Sequence, residues 1–264
     1  MAEWGRFVGR KRRSAMPEAS AYARGVPCWI DLSCTDINAS KEFYTALFGW
    51  EYFVGPPESG HYTQALLGGK SVAGMIQQAP DQADMPVAWT TYLKADDADL
   101  THKAIVEHGG QPMTEVIDVM GEGRMIVAAD PTGGVFAVWE PGRHIGSRVV
   151  NEPGSVIWNE LSTPNAPRAR EFYSAVFGLE IGDRMPEFDF TSIRAEGRDV
   201  GGIFTVPDAQ PEWRVYFAVA DTDATAAIAD SNGATVLVQP KDTPFGRMSV
   251  IQDPQGAVFA LMST

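Results

Sequence analysis

The chain has two cysteines in 264 residues, Cys28 and Cys34, too few for a disulfide framework. Flanking one expected strand, they read as ordinary thiols of a reducing compartment, which leads us to expect a cytoplasmic protein. Basic residues are also scarce: 21 Lys and Arg face 34 Asp and Glu, a formal net charge of −13. A nucleic-acid partner is therefore not expected, because a phosphate backbone is bound by clustered cations. No apolar run reaches the roughly 18 residues that a membrane helix requires, so no membrane partner is expected either. The N-terminal "GRFVGRKRRSAMPEAS" carries a basic run, Arg10 to Arg13, without the apolar stretch of an export signal. Residues 1–24 read as a flexible basic extension, with Met16 as an alternative start and a docking tag as the lesser reading of the basic run. No serine sits in a nucleophile elbow, and no glycine loop follows a strand to open a helix over phosphate.

What the chain does have is repetition. "EFYTALFGW" at 42–50 returns as "EFYSAVFGL" at 171–179, and the register holds well beyond these helix ends. Trp29 and Trp158, Ser33 and Ser162, and Phe43 and Phe172 keep one offset of 129 residues (158 − 29). "GRMIVAADPTGGVFAV" returns as "GRMSVIQDPQGAVFAL", with Arg124 against Arg247 at 123 (247 − 124), a drift that short loop deletions explain. Two similar domains are joined in tandem, at 25–141 and 153–264, through a Pro- and Gly-containing linker at 142–152.

Periodicity supplies the elements. "PCWIDLS" alternates as a half-buried strand, with Ile30 and Leu32 on one face and Trp29, Asp31 and Ser33 on the other. "DINASKEFYTALFGW" opens on an Asp cap, carries Phe43, Leu47 and Phe48 at helical spacing and stops at Gly49, so its aromatic face is expected to pack on a sheet. "SVAGMIQQ" and "TTYLKAD" read as strands, "DADLTHKAIVEHGG" as a second capped helix, and "RMIVAAD" and "VFAVWEP" as a hairpin turned by "DPTGG". Each domain is then β-α-β-β-β twice over, an α+β fold.

This order, with "FYTALFG" and "FYSAVFG" after the first strand and "DPTGGVFAVWE" and "DPQGAVFALMS" at the end, resembles the vicinal oxygen chelate superfamily, the glyoxalase, bleomycin-resistance and extradiol dioxygenase group. The two-domain actinobacterial-type members, some labelled hydroxylases of antibiotic tailoring, are the most similar. The resemblance implies a concave, partly open mixed sheet with helices outside and a cavity for a small molecule. It also implies a divalent metal held by His and Glu at four strand positions. Here those positions fall on Trp29, near Gly74, on Thr90 and on Ala137, and in the repeat on Trp158, near Gly202, on Arg214 and on Ala260. Metals of this kind want imidazole or carboxylate, so no metal and no cofactor are expected. Of the four histidines, His102, His108 and His144 suit surface or capping roles, and His61 stays as a candidate because its strand should run near the cavity mouth.

By alternation the cavity walls are expected from Trp29, Asp31, Thr90, Tyr92 and Trp139, and from Trp158, Glu160, Arg214, Tyr216 and Met262. Trp29 and Trp158 alternatively fill the emptied metal sites as core. Asp31 and Glu160, carboxylates in mid-strand, need partners, expected in Arg124, Arg247 or Arg214; otherwise either could act as a general base. Walls from different domains are expected to pair: Trp29, Asp31 and His61 with Arg214, Tyr216, Arg247 and Met262, and Trp158 and Glu160 with Thr90, Tyr92, Arg124 and Trp139. The second set is the expected ligand slot. The reading reached is metal-independent binding of a small, aromatic or hydrophobic ligand by a monomer or homodimer, as a natural-product tailoring accessory or a resistance protein that sequesters. A glyoxalase-like lyase, isomerase or hydroxylase with an unconventional metal site is the first alternative, and a structural or interaction protein the second.

Overall fold

The computed structural model describes residues 18–82, 84–185 and 189–264. The basic run Arg10 to Arg13 and Met16 lie outside them. In the first half the chain runs through β1 (Pro27–Cys34), α1 (Ile37–Phe48), β2 (Glu51–Val54), β3 (Thr63–Leu67) and β4 (Lys70–Gln77). It continues through β5 (Ala88–Lys94), α2 (Ala98–Glu107), the two-residue β6 (Gln111–Pro112) and β7 (Ile117–Asp118), β8 (Gly123–Ala129) and β9 (Val135–Pro141). The second half repeats the order in β10 (Val156–Thr163), α3 (Ala166–Phe177), β11 (Glu180–Met185), β12 (Phe190–Ala195), β13 (Arg198–Thr205), β14 (Glu212–Ala218), α4 (Thr222–Ser231), β15 (Thr235–Thr243), β16 (Gly246–Gln252) and β17 (Val258–Ser263). Each half forms its own mixed sheet. Their orders are β2-β3-β4-β1-β5-β9-β8-β6, with β7 also on β8, and β11-β12-β13-β10-β14-β17-β16-β15.

The repeated helix ends form for local reasons. The carboxylate of Asp36 accepts from the backbone N–H of Asn38 and Ala39 to start α1, and Gly49, at φ 68°, ends it by donating to Thr45 O. Asn165 and Gly178 do the same for α3. A β-carbon is unfavourable at such left-handed positions, which is why both copies keep "FG".

The aromatic face between those caps does more than pack on its own sheet. One core joins Ile30, Leu32, Phe43, Tyr44, Phe48 and Trp50 of the first half to Phe217, Ile251, Phe259 and Leu261 of the second. The other joins Leu93, Ile126 and Phe136 to Phe172, Tyr173, Phe177 and Trp213. The two sheets therefore share their cores back to back. Two matching polar chains cross the seam: Trp89 Nε1 donates to Tyr44 OH (3.0 Å), which donates to Asp253 Oδ2 (2.9 Å), and Trp213 Nε1 donates to Tyr173 OH (2.8 Å), which donates to Asp130 Oδ2 (2.9 Å). Both aspartates sit in the DP turns of the final hairpins. Burying these phenols and carboxylates is tolerable because each finds a partner. The back-to-back packing leaves the opposite, concave face of each sheet to its own half. Residues 18–24 lie along the linker and the C-terminal end of α3, where Tyr22 OH donates to Ser147 O and Arg24 Nη2 to Val176 O.

Candidate functional site: two unequal concave faces

Strand register sets out each concave face. In the first half Asp31 lies between Gly74 and Thr90, and beside that row Trp29, Tyr92 and Ala137 line up. In the second half the same rows read Gly202, Glu160 and Arg214, then Trp158, Tyr216 and Ala260. The walls of a face thus come from one domain, and the expected pairing across the repeat does not occur. What crosses between domains is the core, because the repeated aromatic helices bury their faces on the partner sheet's back. Trp158 and Glu160 do not meet Tyr92, Thr90 or Trp139, nor do Trp29 and Asp31 meet Tyr216, Arg214 or Met262.

The first face is closed by its own side chains. Trp29, Tyr92 and Trp139 are 5%, 6% and 6% exposed and form one cluster with Ala137. Asp31 Oδ1 accepts from Trp29 Nε1 (2.8 Å) and from the hydroxyl of Tyr62, while Oδ2 accepts from Tyr92 OH (2.7 Å). Burial raises the Asp31 pKa, and the Tyr62, Tyr92 and Trp29 donors oppose that rise. The same burial and the adjacent carboxylate push both tyrosines well above the usual phenol range. Gly74 makes the arrangement possible, since any β-carbon there would collide with the Tyr62 phenol and the Asp31 carboxylate. His144 completes the closure: its ring meets Trp29 edge-on at 4.5 Å and Trp139 at 5.9 Å, and its backbone oxygen accepts from Trp139 Nε1 (2.8 Å).

The second face uses the same plan with different side chains. Glu160 Oε1 accepts from Tyr216 OH (3.0 Å), and burial raises its pKa against Tyr216, Arg214 and Trp158. Phe190 occupies the place of Tyr62 without the hydroxyl, and its ring lies over Gly202. Met262 stands where Trp139 does. Trp158 and Met262 are half-buried where their counterparts Trp29 and Trp139 are buried, so this face is less closed than the first.

Several sequence-predicted residues have other duties. Arg124 pairs with Asp99 (2.7 Å) and Glu140 (3.2 Å), and Arg247 pairs with Asp223 and Asp242, so neither reaches Asp31 or Glu160. In both copies the arginine ties the last hairpin to the acidic first turn of the second helix, a favourable place for that carboxylate. Arg214 forms a two-point pair with Glu212 (2.7 and 3.3 Å). His61 is exposed in the turn before β3, at φ 57°, and the residue there that reaches Asp31 is its half-buried neighbour Tyr62. Tyr62 and His144 were missed, the first because it precedes its strand and the second because it lies in the linker. Two clefts among the described residues, of ≈ 230 and ≈ 300 Å³, lie off both faces, one at the seam between α1 and the DP turn of Asp253, the other beside Tyr22 and Lys94.

The metal that the fold implies does not fit. Trp29, Gly74 and Ala137, and Trp158, Gly202 and Ala260, supply no imidazole or carboxylate at the ligand positions. Among the described residues no three His, Cys, Asp or Glu side chains come together to hold an ion. Nor is any described helix long and apolar enough to cross a membrane.

Two concave sheets built from paired β-α-β-β-β modules define the class. The chain belongs to the Glyoxalase/Bleomycin resistance protein/Dioxygenase superfamily, which residues 28–138 match, and residues 158–262 match a Glyoxalase-like domain. It is 42% identical to CFP32 of Mycobacterium tuberculosis, provisionally named a glyoxylase, over 94% of this chain and 98% of that protein. It is 38% identical to the anthracycline biosynthesis protein DnrV of Streptomyces peucetius, over 91% and 94%. In fold it is similar to the Mn(II)-bound glyoxalase of Novosphingobium aromaticivorans, with a TM-score of 0.66, 19% identity and 92% and 83% coverage. It is also similar to the 2,3-dioxygenase LapB of Pseudomonas sp. KL28, with a TM-score of 0.65, 13% identity and 92% and 94% coverage.

Proposed function

We propose that the protein binds a flat, apolar small molecule on the concave face of the second domain, without a metal, as an accessory or sequestering protein for an aromatic natural product. The observation that carries this reading is the inequality of the two faces. Trp29, Tyr62 and Tyr92 all donate to Asp31, and Trp29, Tyr92 and Trp139 are buried, whereas beside Glu160 the indole of Trp158 and the side chain of Met262 stay half-exposed and form an apolar surface with Phe190 and Tyr216. A slot of this composition suits a ring system, with Glu160 and Tyr216 supplying the few polar contacts that fix orientation. Burial raises the Glu160 pKa, and its carboxyl oxygens can accept from a ligand phenol. Relatives named for anthracycline biosynthesis agree with a fused-ring ligand, since anthracyclines are planar and carry both carbonyls and phenols.

The test is a fluorescence titration of the wild type, Trp158→Ala and Trp29→Phe with anthraquinone-2-sulfonate, a soluble planar probe. Quenching that saturates in the wild type and in Trp29→Phe but is lost in folded Trp158→Ala supports the assignment. Saturable binding that survives Trp158→Ala, or no binding in the wild type, overturns it.

A further inference from the structure

Phe245 bears on how that face is entered. It is 56% exposed at the tip of the β15–β16 hairpin. Its ring centroid lies only 5.8 Å from that of Phe190, at an interplanar angle of 44°. Yet Phe190 starts β12 and Phe245 precedes β16, and four strands, β13, β10, β14 and β17, separate β12 from β16 in the sheet. In a flat sheet those five steps would span about 24 Å. The two rings therefore meet because the sheet is rolled, and they bridge its two arms across the open side of the face that holds Glu160.

The two sides of this bridge differ in firmness. Phe190 follows Asp189, which is held by Arg170, by Arg184 (2.7 Å) and by Thr205, a network that reaches α3 and β13. Phe245 sits in a tight turn closed by Thr243 Oγ1, which donates to Gly246 O (2.7 Å), and the strands behind it pair with register shifts. In the first domain the residue aligned with Phe245 is Glu122, which forms an ion pair with Arg143 (2.8 Å) instead, and whose backbone oxygen accepts from His144 N (3.0 Å). The aromatic bridge is thus particular to the open face.

We infer that Phe190 and Phe245 form an aromatic clamp across the second concave face, with Phe190 fixed and the Phe245 hairpin yielding to admit a planar ring between them. This deepens the ligand reading above and rests on it. Two stacked contacts at ordinary ring separations need about 7 Å between the outer rings. From the present tilted contact, 5.8 Å between centroids at 44°, the Phe245 ring must turn towards parallel as its hairpin yields, and a flat ligand would then fit where a puckered one would be refused.

Two measurements on the full chain test it. Without ligand, Phe245→Ala should increase acrylamide quenching of tryptophan fluorescence, and the increase should vanish when Trp158→Phe is added, because the uncovered indole is that of Trp158. With anthraquinone-2-sulfonate, Phe245→Ala should weaken binding about fivefold to tenfold, the effect of losing one aromatic contact. The melting temperature should stay unchanged, and cyclohexanecarboxylate, non-planar, should bind neither form. Unaltered quenching in Phe245→Ala overturns the clamp whatever the ligand result. Wild-type probe binding that is abolished by Trp158→Ala but indifferent to Phe245→Ala also overturns it, while leaving the slot itself standing; absence of any wild-type binding overturns the slot and the ligand role of the clamp together.

Discussion

Tyr62 donates its phenolic hydrogen to Asp31, a bond that the second half of the molecule lacks. Phe190, at the same place in the repeat, has no hydroxyl to give Glu160. In the first half a carboxylate has gathered three donors beside two buried indoles. In the second half the carboxylate keeps a tyrosine partner and faces a slot.

Asp31 should make stability depend on pH in a definite direction. Its folded pKa is raised above 3.8, so its contribution is fully present below that value and is lost as pH rises through the folded pKa. Asp31→Asn removes this loss. Although the variant gives up good acceptor geometry, the difference in melting temperature between variant and wild type should move in the variant's favour as pH rises from about 4 to 8. A pH-independent offset, or the opposite slope, would mean that the three donors outweigh burial.

The shared cores predict that neither half folds alone as a monomer. Cutting in the linker would expose Phe136 and Phe172, Phe177 on one side and Phe48, Phe217 and Phe259 on the other. Each such ring is worth roughly 1.5–3 kcal/mol of burial, against a total stability of only about 5–15 kcal/mol. Residues 18–152 and 153–264 produced separately should therefore aggregate or pair with their own kind, and should recombine when mixed. Size-exclusion chromatography reads this directly. A stable monomeric half would contradict the argument.

Arg124→Ala and Arg247→Ala should leave probe binding intact. Both guanidinium groups are engaged by carboxylates of the second helices at the solvent edge, where ion pairs are screened. A small loss of melting temperature that shrinks in high salt is the expected result. Loss of ligand affinity in Arg247→Ala at unchanged stability would restore this arginine to the site.

How far the sequence led can be traced residue by residue. The repeat, the caps at Asp36 and Gly49 and the DP hairpins were legible because local chemistry fixes them, and Trp29, Asp31, Tyr92, Trp158, Glu160 and Tyr216 were placed on concave faces by alternation alone. Partners of those residues were not legible. Arg124 was a reasonable mate for Asp31 by charge, but three neutral donors on neighbouring strands satisfied the carboxylate at shorter reach. Tyr62 gave no periodic signal from the turn, and His144 gave none from the linker. Which domains shared walls could not be read either, because both copies carry the same aromatic helix and only packing decides which sheet it covers.

The final prediction exchanges the residues that make the faces unequal. Trp139 is buried against Tyr92 and His144 in the closed face, and Met262 is its half-buried counterpart in the open one. Met262→Trp should place an indole across the second face, in the position that Trp139 takes in the first, and so abolish probe binding in a variant that stays folded. Trp139→Met removes a packed indole and orphans the His144 carbonyl it served. It should cost about 3 kcal/mol, near the lower end for losing a buried large aromatic because methionine refills part of the volume. With Tyr62→Phe added, the first face would carry the second face's side chains at both positions. If the faces differ only through these residues, the double variant should bind a second equivalent of anthraquinone-2-sulfonate, which isothermal titration calorimetry would count. A stoichiometry that stays at one in the folded double variant would show that His144 and the linker, rather than Trp139 and Tyr62, keep the first face shut.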